Sequence, residues 1–152
     1  MGAETLVKPL SQLYEQDFVA WLEETARLLR EGRWDQVDVE HMVEEVEGMA
    51  NRDRRELMSR LRALILHLLK WRCQPEKRSG SWRSTVIEQR SRLEGLLEQS
   101  PSLKRTLPEM AGQVYPAAVQ RASGETGLPV KSFPPECPFS VDEILRLGYL
   151  PD

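Results

Sequence analysis

Residues 61–71 read LRALILHLLKW and form the longest apolar-rich run of the chain. Only Arg62, His67 and Lys70 interrupt it, so a helix made of these residues is apolar on almost every side. Such a helix belongs at the centre of a bundle, because it has no polar face to turn towards water. The run is about half as long as the roughly 20 residues that a membrane-spanning helix needs. It therefore predicts a buried central helix, which Pro75 ends.

Two segments upstream of this run carry apolar residues at helical spacing. Residues 13–29 predict one helix, for which Gly32 is the stop signal, and Asp38 is a suitable N-cap for the next helix. That second helix has an apolar stripe repeating every three or four residues, made of Val39, Met42, Val43, Val46 and Met49.

The stripe of the second helix continues in register into the central run. Residues 38–73 therefore form either one helix of more than 30 residues or two helices separated by a break or kink near residues 50–53. Gly48 and Asn51 lower the helix propensity at this point, and Asp53 with Glu56 has the spacing of a capping box. Both alternatives stay open from the sequence.

The downstream half predicts two further helical regions. Residues 75–81 form a polar turn, and residues 82–99 form a helix whose inward residues are Trp82, Val86, Leu93, Leu96 and Leu97. In the next region Thr106 and Glu109 have the spacing of a capping box, and Pro116 should kink or break the helix.

The carboxy-terminal part is rich in glycine and proline. Residues 124–139 predict an irregular, extended, Pro-rich strap, which either packs over the helices or is presented to a partner. A short final helix should follow, capped by Ser140 with Glu143 and stopped by Gly148.

No strand pattern and no repeat competes with these helices. The sequence predicts an all-α fold, a compact bundle of about five to six helices that forms a single domain over residues 1–152, with residues 1–10 as a loose amino-terminal arm.

Composition narrows the class of protein. The chain is 40% hydrophobic and 30% charged, which is typical of soluble globular proteins. We expect a cytoplasmic protein without a membrane association, because no secretory leader is readable at the amino terminus. Cys73 and Cys137 lie far apart and outside any CxxC pair, so both are expected to be reduced thiols.

Charge is strongly segregated along the chain. Residues 13–51 contain 11 acidic and 3 basic side chains, a net charge of −8, whereas residues 52–92 contain 4 acidic and 12 basic side chains, a net charge of +8. Helices of opposite charge attract one another, so self-neutralisation within the fold is one explanation of this asymmetry.

Eight short motifs, in order along nearly the whole chain, give the sequence a family resemblance. They are YEQDFVAW (14–21), EEVEGM (44–49), HLLKW (67–71), QPEKRSGSW (74–82), SPSL (100–103), YPAA (115–118), ETGL (125–128) and FPPECPF (133–139). With these motifs the chain resembles the bacterial family called domain of unknown function 29. The resemblance implies a helical cytoplasmic protein, and it implies no particular activity.

A metal site is the first candidate for chemistry. His41, Glu44 and Glu45 stand at positions i, i+3 and i+4, so their side chains can converge on one side of a helix, and carboxylates with imidazole suit zinc, iron or manganese. Di-iron bundles use the reverse order, Glu-x-x-His, and need it twice. A solvated helix face explains these residues equally well, so we predict no bound metal and no cofactor.

Polar residues on apolar helix faces are the second candidate. Burying an unpaired charge costs several kcal/mol, so such groups are expected to pair with each other. The predicted interhelical network, which is either structural or the lining of a ligand pocket, consists of Glu45, Glu47, Asp53, His67 and Arg90.

A nucleic-acid surface is the third candidate. Trp71 and Trp82 are interleaved with basic residues, and aromatic rings can stack on bases while cations hold phosphates. The basic residues concerned are Arg72, Lys77, Arg78 and Arg83. The isoelectric point of about 5.6 argues against this candidate, since nucleic-acid-binding domains are commonly above 9.

The sequence favours a non-catalytic helical module that interacts with an unknown protein partner. No GxSxG, Walker or dinucleotide motif is present, and no catalytic residue is identified. The alternatives are a nucleic-acid-associated or regulatory component of a two-protein pair, and a helical protein that binds a ligand or a metal.

Overall fold

The computed structural model describes residues 9–152, and in this range it is all-α, as predicted. The described residues form six α-helices and no strand. The helices are α1 (Leu10–Gln16), α2 (Phe18–Arg30), α3 (Val39–Cys73), α4 (Gly80–Gln99), α5 (Leu107–Thr126) and α6 (Val141–Leu145). The loose arm predicted for residues 1–10 lies almost entirely outside the described residues.

The contacts of the chain divide it into two compact units, residues 1–51 and residues 52–152. We call them the first unit and the second unit. Helix α3 runs through the boundary, so it supplies one helical segment to each unit. The single domain expected from the length of the chain stays a prediction.

The first predicted helix is in fact two helices, α1 and α2, which meet at Asp17. Asp17 has an extended backbone (φ −152°, ψ 90°), and its side chain accepts a hydrogen bond from the Ala20 amide at 3.0 Å. An aspartate in this position satisfies an amide that would otherwise lack a partner at the start of α2. The apolar periodicity concealed this break because it continues across both helices.

Helix α3 is a continuous helix of 35 residues, which decides between the two alternatives for residues 38–73. Its N-cap is Asp38, as predicted, because the Asp38 side chain accepts from the His41 amide at 3.3 Å. No break occurs near Asp53, and Glu56 lies 3.7 Å from Arg60 in an i, i+4 ion pair. Helix-weakening residues such as Gly48 cost only about 1 kcal/mol each, which is too little to interrupt the backbone hydrogen bonds here.

The core of the second unit is built around the run that opened the sequence. The predicted burial of residues 61–71 is confirmed, since Leu61, Leu64 and Leu68 are at most 1% exposed. They belong to one apolar cluster with residues of α4, α5 and the strap, among them Val86, Leu93, Leu97, Val114, Ala118, Phe133 and Phe139.

Helix α5 differs from its prediction at two positions. It passes through Pro116 without a break, because the neighbours Tyr115 and Ala118 are buried and their packing keeps the segment helical. Thr106 does not cap it either. The Thr106 hydroxyl donates to the Leu103 carbonyl at 2.6 Å, closing the 3₁₀ turn Pro101–Thr106 that precedes α5.

The strap begins later than predicted and packs on its own unit. Helix α5 continues to Thr126, and Gly127 (φ 75°) ends it in the left-handed conformation that favours glycine. Phe133 and Phe139 are buried, and the Tyr115 hydroxyl donates to the Pro134 carbonyl at 2.6 Å. Of the two roles considered for the strap, packing over the helices is therefore the one observed.

The last helix, α6, is capped as its sequence predicts. Ser140 and Glu143 form a reciprocal capping box, with Oγ accepting from the Glu143 amide at 3.1 Å and Oε1 accepting from the Ser140 amide at 3.0 Å. The helix ends at Leu145, three residues before the predicted stop at Gly148.

Candidate functional site

Five side chains of the first unit form an aromatic–polar cluster between α1, α2 and the start of α3: Tyr14, Trp21, Asp38, His41 and Glu45. The Tyr14 ring stacks on the His41 ring with centroids 4.0 Å apart, and its hydroxyl donates to Glu45 Oε1 at 2.5 Å. Asp38 Oδ2 lies 2.6 Å from His41 Nδ1 and accepts from Trp21 Nε1 at 3.2 Å. The cluster therefore links α1 and α2 to the first turns of α3.

The hydrogen bonds of this cluster set the charge states of its members. The Asp38 carboxylate raises the pKa of His41, which favours imidazolium. Burial opposes ionisation of Asp38, yet the bonds from His41 and Trp21 hold the pKa of this carboxyl below its usual value. The Glu45 carboxylate raises the pKa of Tyr14 to about 12, so this phenol stays protonated and keeps donating.

The predicted metal candidates do not converge in this cluster. His41 is bonded to Asp38, Glu45 accepts from Tyr14, and Glu44 is exposed. Among residues 9–152 no group of three histidine, cysteine or carboxylate side chains is placed to hold a metal ion. The cluster was missed by the sequence reasoning, although Asp38 and His41, three positions apart at a helix start, are a detectable sign of such a pair.

An exposed apolar stripe is the second feature of the first unit. It consists of Val39, Val43, Val46 and Met49, which are 56%, 48%, 57% and 52% exposed. The sequence predicted this stripe from its spacing, with Met42 as a further member, and Met42 is half-buried in the structure. The stripe lies on the same face of α3 as the buried residues Leu57, Leu61 and Leu64 further along the helix, because all of them follow one spacing of three and four residues. One helix face is thus covered in the second unit and open in the first.

Helix α2 and the borders of the stripe carry further exposed groups. Phe18, Val19 and Leu22 of α2 are also more than 40% exposed. Three carboxylates of α3, those of Glu40, Glu44 and Glu47, are exposed as well. Glu47, predicted as part of a polar network, instead lies beside the stripe. Large apolar side chains that stay in water next to charged ones are characteristic of interaction surfaces.

Arg90 is the most deeply buried charged residue among those described, at 3% exposure. Its Nε donates to the Ile144 carbonyl at 2.8 Å and its Nη2 donates to the Glu143 carbonyl at 3.2 Å. Burial lowers the pKa of this guanidinium. These two carbonyls belong to the last turn of α6, where backbone acceptors lack helical partners, so Arg90 acts as a cap that holds α6 on α4.

A surface cavity of about 260 Å³ adjoins Arg90. Its other charged residues are of both signs, with Glu94 and Glu98 opposite in charge to Lys104. A mixed lining provides no net field for an anionic ligand. The guanidinium is better explained by the two carbonyls that it binds.

The remaining members of the predicted polar network are His67 and Asp53. His67 Nδ1 lies 2.9 Å from the Ala63 carbonyl of its own helix, and burial lowers the pKa of this imidazole. Asp53 is half-buried in α3. Within the second unit, His67 and Arg90 thus have different partners rather than a shared one.

Two of the four basic residues predicted as a nucleic-acid surface, Arg78 and Arg83, lie over the Trp71 ring, and Lys70 lies over the Trp82 ring. The guanidinium groups of Arg78 and Arg83 lie 5.1 and 5.5 Å from the centre of the buried Trp71 ring, and Lys70 Nζ lies 4.6 Å from that of Trp82. Arg78 also donates to the Trp71 carbonyl at 2.8 Å. Cation–π contacts of this kind leave the rings covered, so Trp71 is not available to stack on a base. The other two predicted residues, Arg72 and Lys77, are exposed.

The two cysteines are free thiols, as predicted. Burial raises the pKa of both Cys73 and Cys137. A raised pKa reduces the thiolate fraction, so neither residue has the environment of an activated nucleophile.

A comparison with known families supports the resemblance carried by the eight motifs. The family model described as Domain of unknown function DUF29 matches residues 13–150. The chain belongs to this family. The range of this DUF29 protein that the family model matches includes the aromatic–polar cluster, the apolar stripe and Arg90. No curated protein and no solved structure gives a significant match.

In the part of the chain that the structure describes, no helix is both long and apolar enough to cross a lipid bilayer.

Proposed function

We propose that this DUF29 protein is a non-catalytic interaction module of the bacterial cytoplasm, and that its first unit binds a partner protein through the apolar stripe. One observation supports this most directly. The face of α3 that is buried in the second unit carries apolar residues in the first unit too, and there they are about half exposed. A partner that covers these apolar side chains would gain about 25 cal/mol of binding free energy per Å² of apolar surface removed from water.

The polar side chains of the protein support binding rather than catalysis. Glu45 binds Tyr14 of α1, and Asp38 binds His41 and Trp21 of α2. Arg90 holds α6, and the thiols of Cys73 and Cys137 are disfavoured as thiolates. A general base or nucleophile needs a free reacting atom and a matched pKa. Two free cysteines are also consistent with the reducing cytoplasm.

Nucleic-acid binding is a weaker proposal. The Trp71 ring is covered by two arginines, and the net charge of the whole protein is −3. A regulatory role in a two-protein pair remains compatible with the proposed function, since such a role also requires a protein-binding face.

Photo-crosslinking in the organism that encodes the protein tests the proposal. A photoreactive amino acid replaces Val43, and the matched control carries it at Ile87, a 60% exposed residue of α4. We expect a discrete protein adduct from position 43 that is absent from position 87. The adduct should disappear when Val46→Asp is added. Identical adducts from both positions, or none from position 43, would contradict the proposal.

A further inference from the structure

We propose that the partner segment bound by the apolar stripe is a basic amphipathic helix of another protein. This inference rests on the proposed function and adds the chemistry of the occupant. The stripe defines the apolar side of that helix, and the charge around the stripe defines its polar sides.

The charge of the first unit is strongly negative and is not neutralised within its own sequence. Residues 13–51 have a net charge of −8. Two of their three arginines already have carboxylate partners, since Arg27 binds Glu24 and Glu31, and Arg33 lies 3.5 Å from Glu31. The exposed carboxylates of Glu40 and Glu47 lie along one border of the stripe on α3. A partner that covers the stripe must therefore approach a negative surface, which favours lysine and arginine at its borders.

The same charge argues against a second copy of this chain as the occupant. Pairing two stripes in a symmetric dimer would place Glu40, Glu44 and Glu47 of both copies along one interface. Like charges brought together in this way oppose association. An anionic membrane surface and a nucleic acid are disfavoured at the stripe for the same reason.

The length of the stripe sets the length of the partner helix. Val39 and Met49 are ten positions apart on a regular helix, which corresponds to about 15 Å or three turns. A partner helix of about three to four turns, with apolar residues at three- and four-residue spacing, matches this distance. Its flanking positions would carry the basic residues that face Glu40 and Glu47.

The test measures binding of a synthetic probe to the whole chain. The probe is a fluorescent 14-residue helical peptide with leucines at three- and four-residue spacing and lysines at all flanking positions. Its matched control has glutamate in place of every lysine. We expect the lysine peptide to bind and the glutamate peptide not to bind, with an affinity that falls as salt is raised.

Variants separate the apolar contribution from the charge. Val43→Asp with Val46→Asp adds negative charge, so attraction by charge alone would strengthen binding, whereas loss of the apolar contact should weaken it at least about tenfold. Glu40→Lys with Glu47→Lys should weaken binding and reduce its salt dependence. Ile87→Ser should bind as the unchanged protein does.

Three outcomes would overturn the inference. They are equal binding of both peptides, unchanged binding by the Val43→Asp and Val46→Asp variant, and a self-adduct from the crosslinker at position 43. Mass spectrometry of the natural adduct separates this inference from the proposed function. A crosslinked acidic or neutral segment of another protein would refute the basic helix and leave the interaction module standing, whereas a basic helical segment would support both.

Discussion

Replacing Arg90 by methionine tests the structural role assigned to the buried guanidinium. The methionine keeps an apolar stem of similar length and removes both hydrogen bonds to the carbonyls of Glu143 and Ile144. Bonds from a charged donor contribute about 1.5–3 kcal/mol each, which gives about 3–6 kcal/mol for the pair. Methionine also avoids the cost of burying a cation, and the replacement of buried ion pairs by apolar residues, a related case, stabilises proteins by up to about 1–4 kcal/mol. The expected net loss is about 2 kcal/mol.

Urea denaturation provides the assay, and Arg92→Met is the matched control. Arg92 lies on the same helix, is exposed and pairs with Glu88, so its replacement should change the free energy of unfolding by less than about 0.5 kcal/mol. For a protein of this size the Arg90 variant should melt about 4–8 °C lower than the unchanged protein. Amide hydrogen exchange should also accelerate in α6. Equal stability of the two variants would refute the capping role of Arg90 and favour a ligand-binding one.

Three further predictions concern other parts of the chain. The His41–Asp38 pair should make stability dependent on pH. Its contribution is complete below the unfolded histidine pKa of about 6.5 and decreases as the pH rises through the higher folded pKa. The difference in Tm between the unchanged protein and the His41→Gln variant should therefore shrink between pH 6 and pH 9. At the acidic end, the contribution of Asp38 is complete above the unfolded carboxyl pKa of about 3.9 and is lost as the pH falls through its lower folded value. A Tm difference between the two proteins that does not vary with pH would contradict this assignment. Asp17→Ala removes the cap of α2 and should cost about 0.5–2 kcal/mol in urea denaturation, whereas a cost no larger than that of an exposed replacement elsewhere on α2 would show that the cap is not needed. Cys73 and Cys137 should react with a thiol reagent at pH 7 more slowly than free cysteine does, and rates at or above the free rate would show that their burial is transient.

Features that depend on neighbours in sequence were predicted well. The Ser140–Glu143 capping box, the Asp38 cap and the apolar run of residues 61–71 are all present as expected. Each of them rests on interactions within one or two helical turns, where residue type and spacing decide the result.

Local signals failed where they competed with each other or with packing. Asp17 has the chemistry of a cap but lies within a regular apolar pattern, and here the cap prevails. Pro116 and Gly48 weaken helices, yet both lie inside continuous ones. Thr106 has cap spacing, but its hydroxyl closes the preceding turn instead. Helix-interior penalties of about 1 kcal/mol for glycine and about 3 kcal/mol for proline are outweighed by the other interactions of these helices.

The apolar stripe of α3 shows most clearly where sequence information ends. Spacing alone establishes that Val43 and Leu64 lie on the same helix face, because helical geometry repeats without regard to surroundings. It does not establish that Leu64 is fully buried whereas Val43 is 48% exposed, because burial depends on which distant segments cover each part of the helix. Spacing does not establish the partners of Arg90 either, because the carbonyls that it binds lie more than 50 residues away along the chain. Helix type and most caps therefore follow from the local sequence, whereas the exposure of the α3 stripe and the partners of the buried guanidinium depend on contacts that only the folded chain creates.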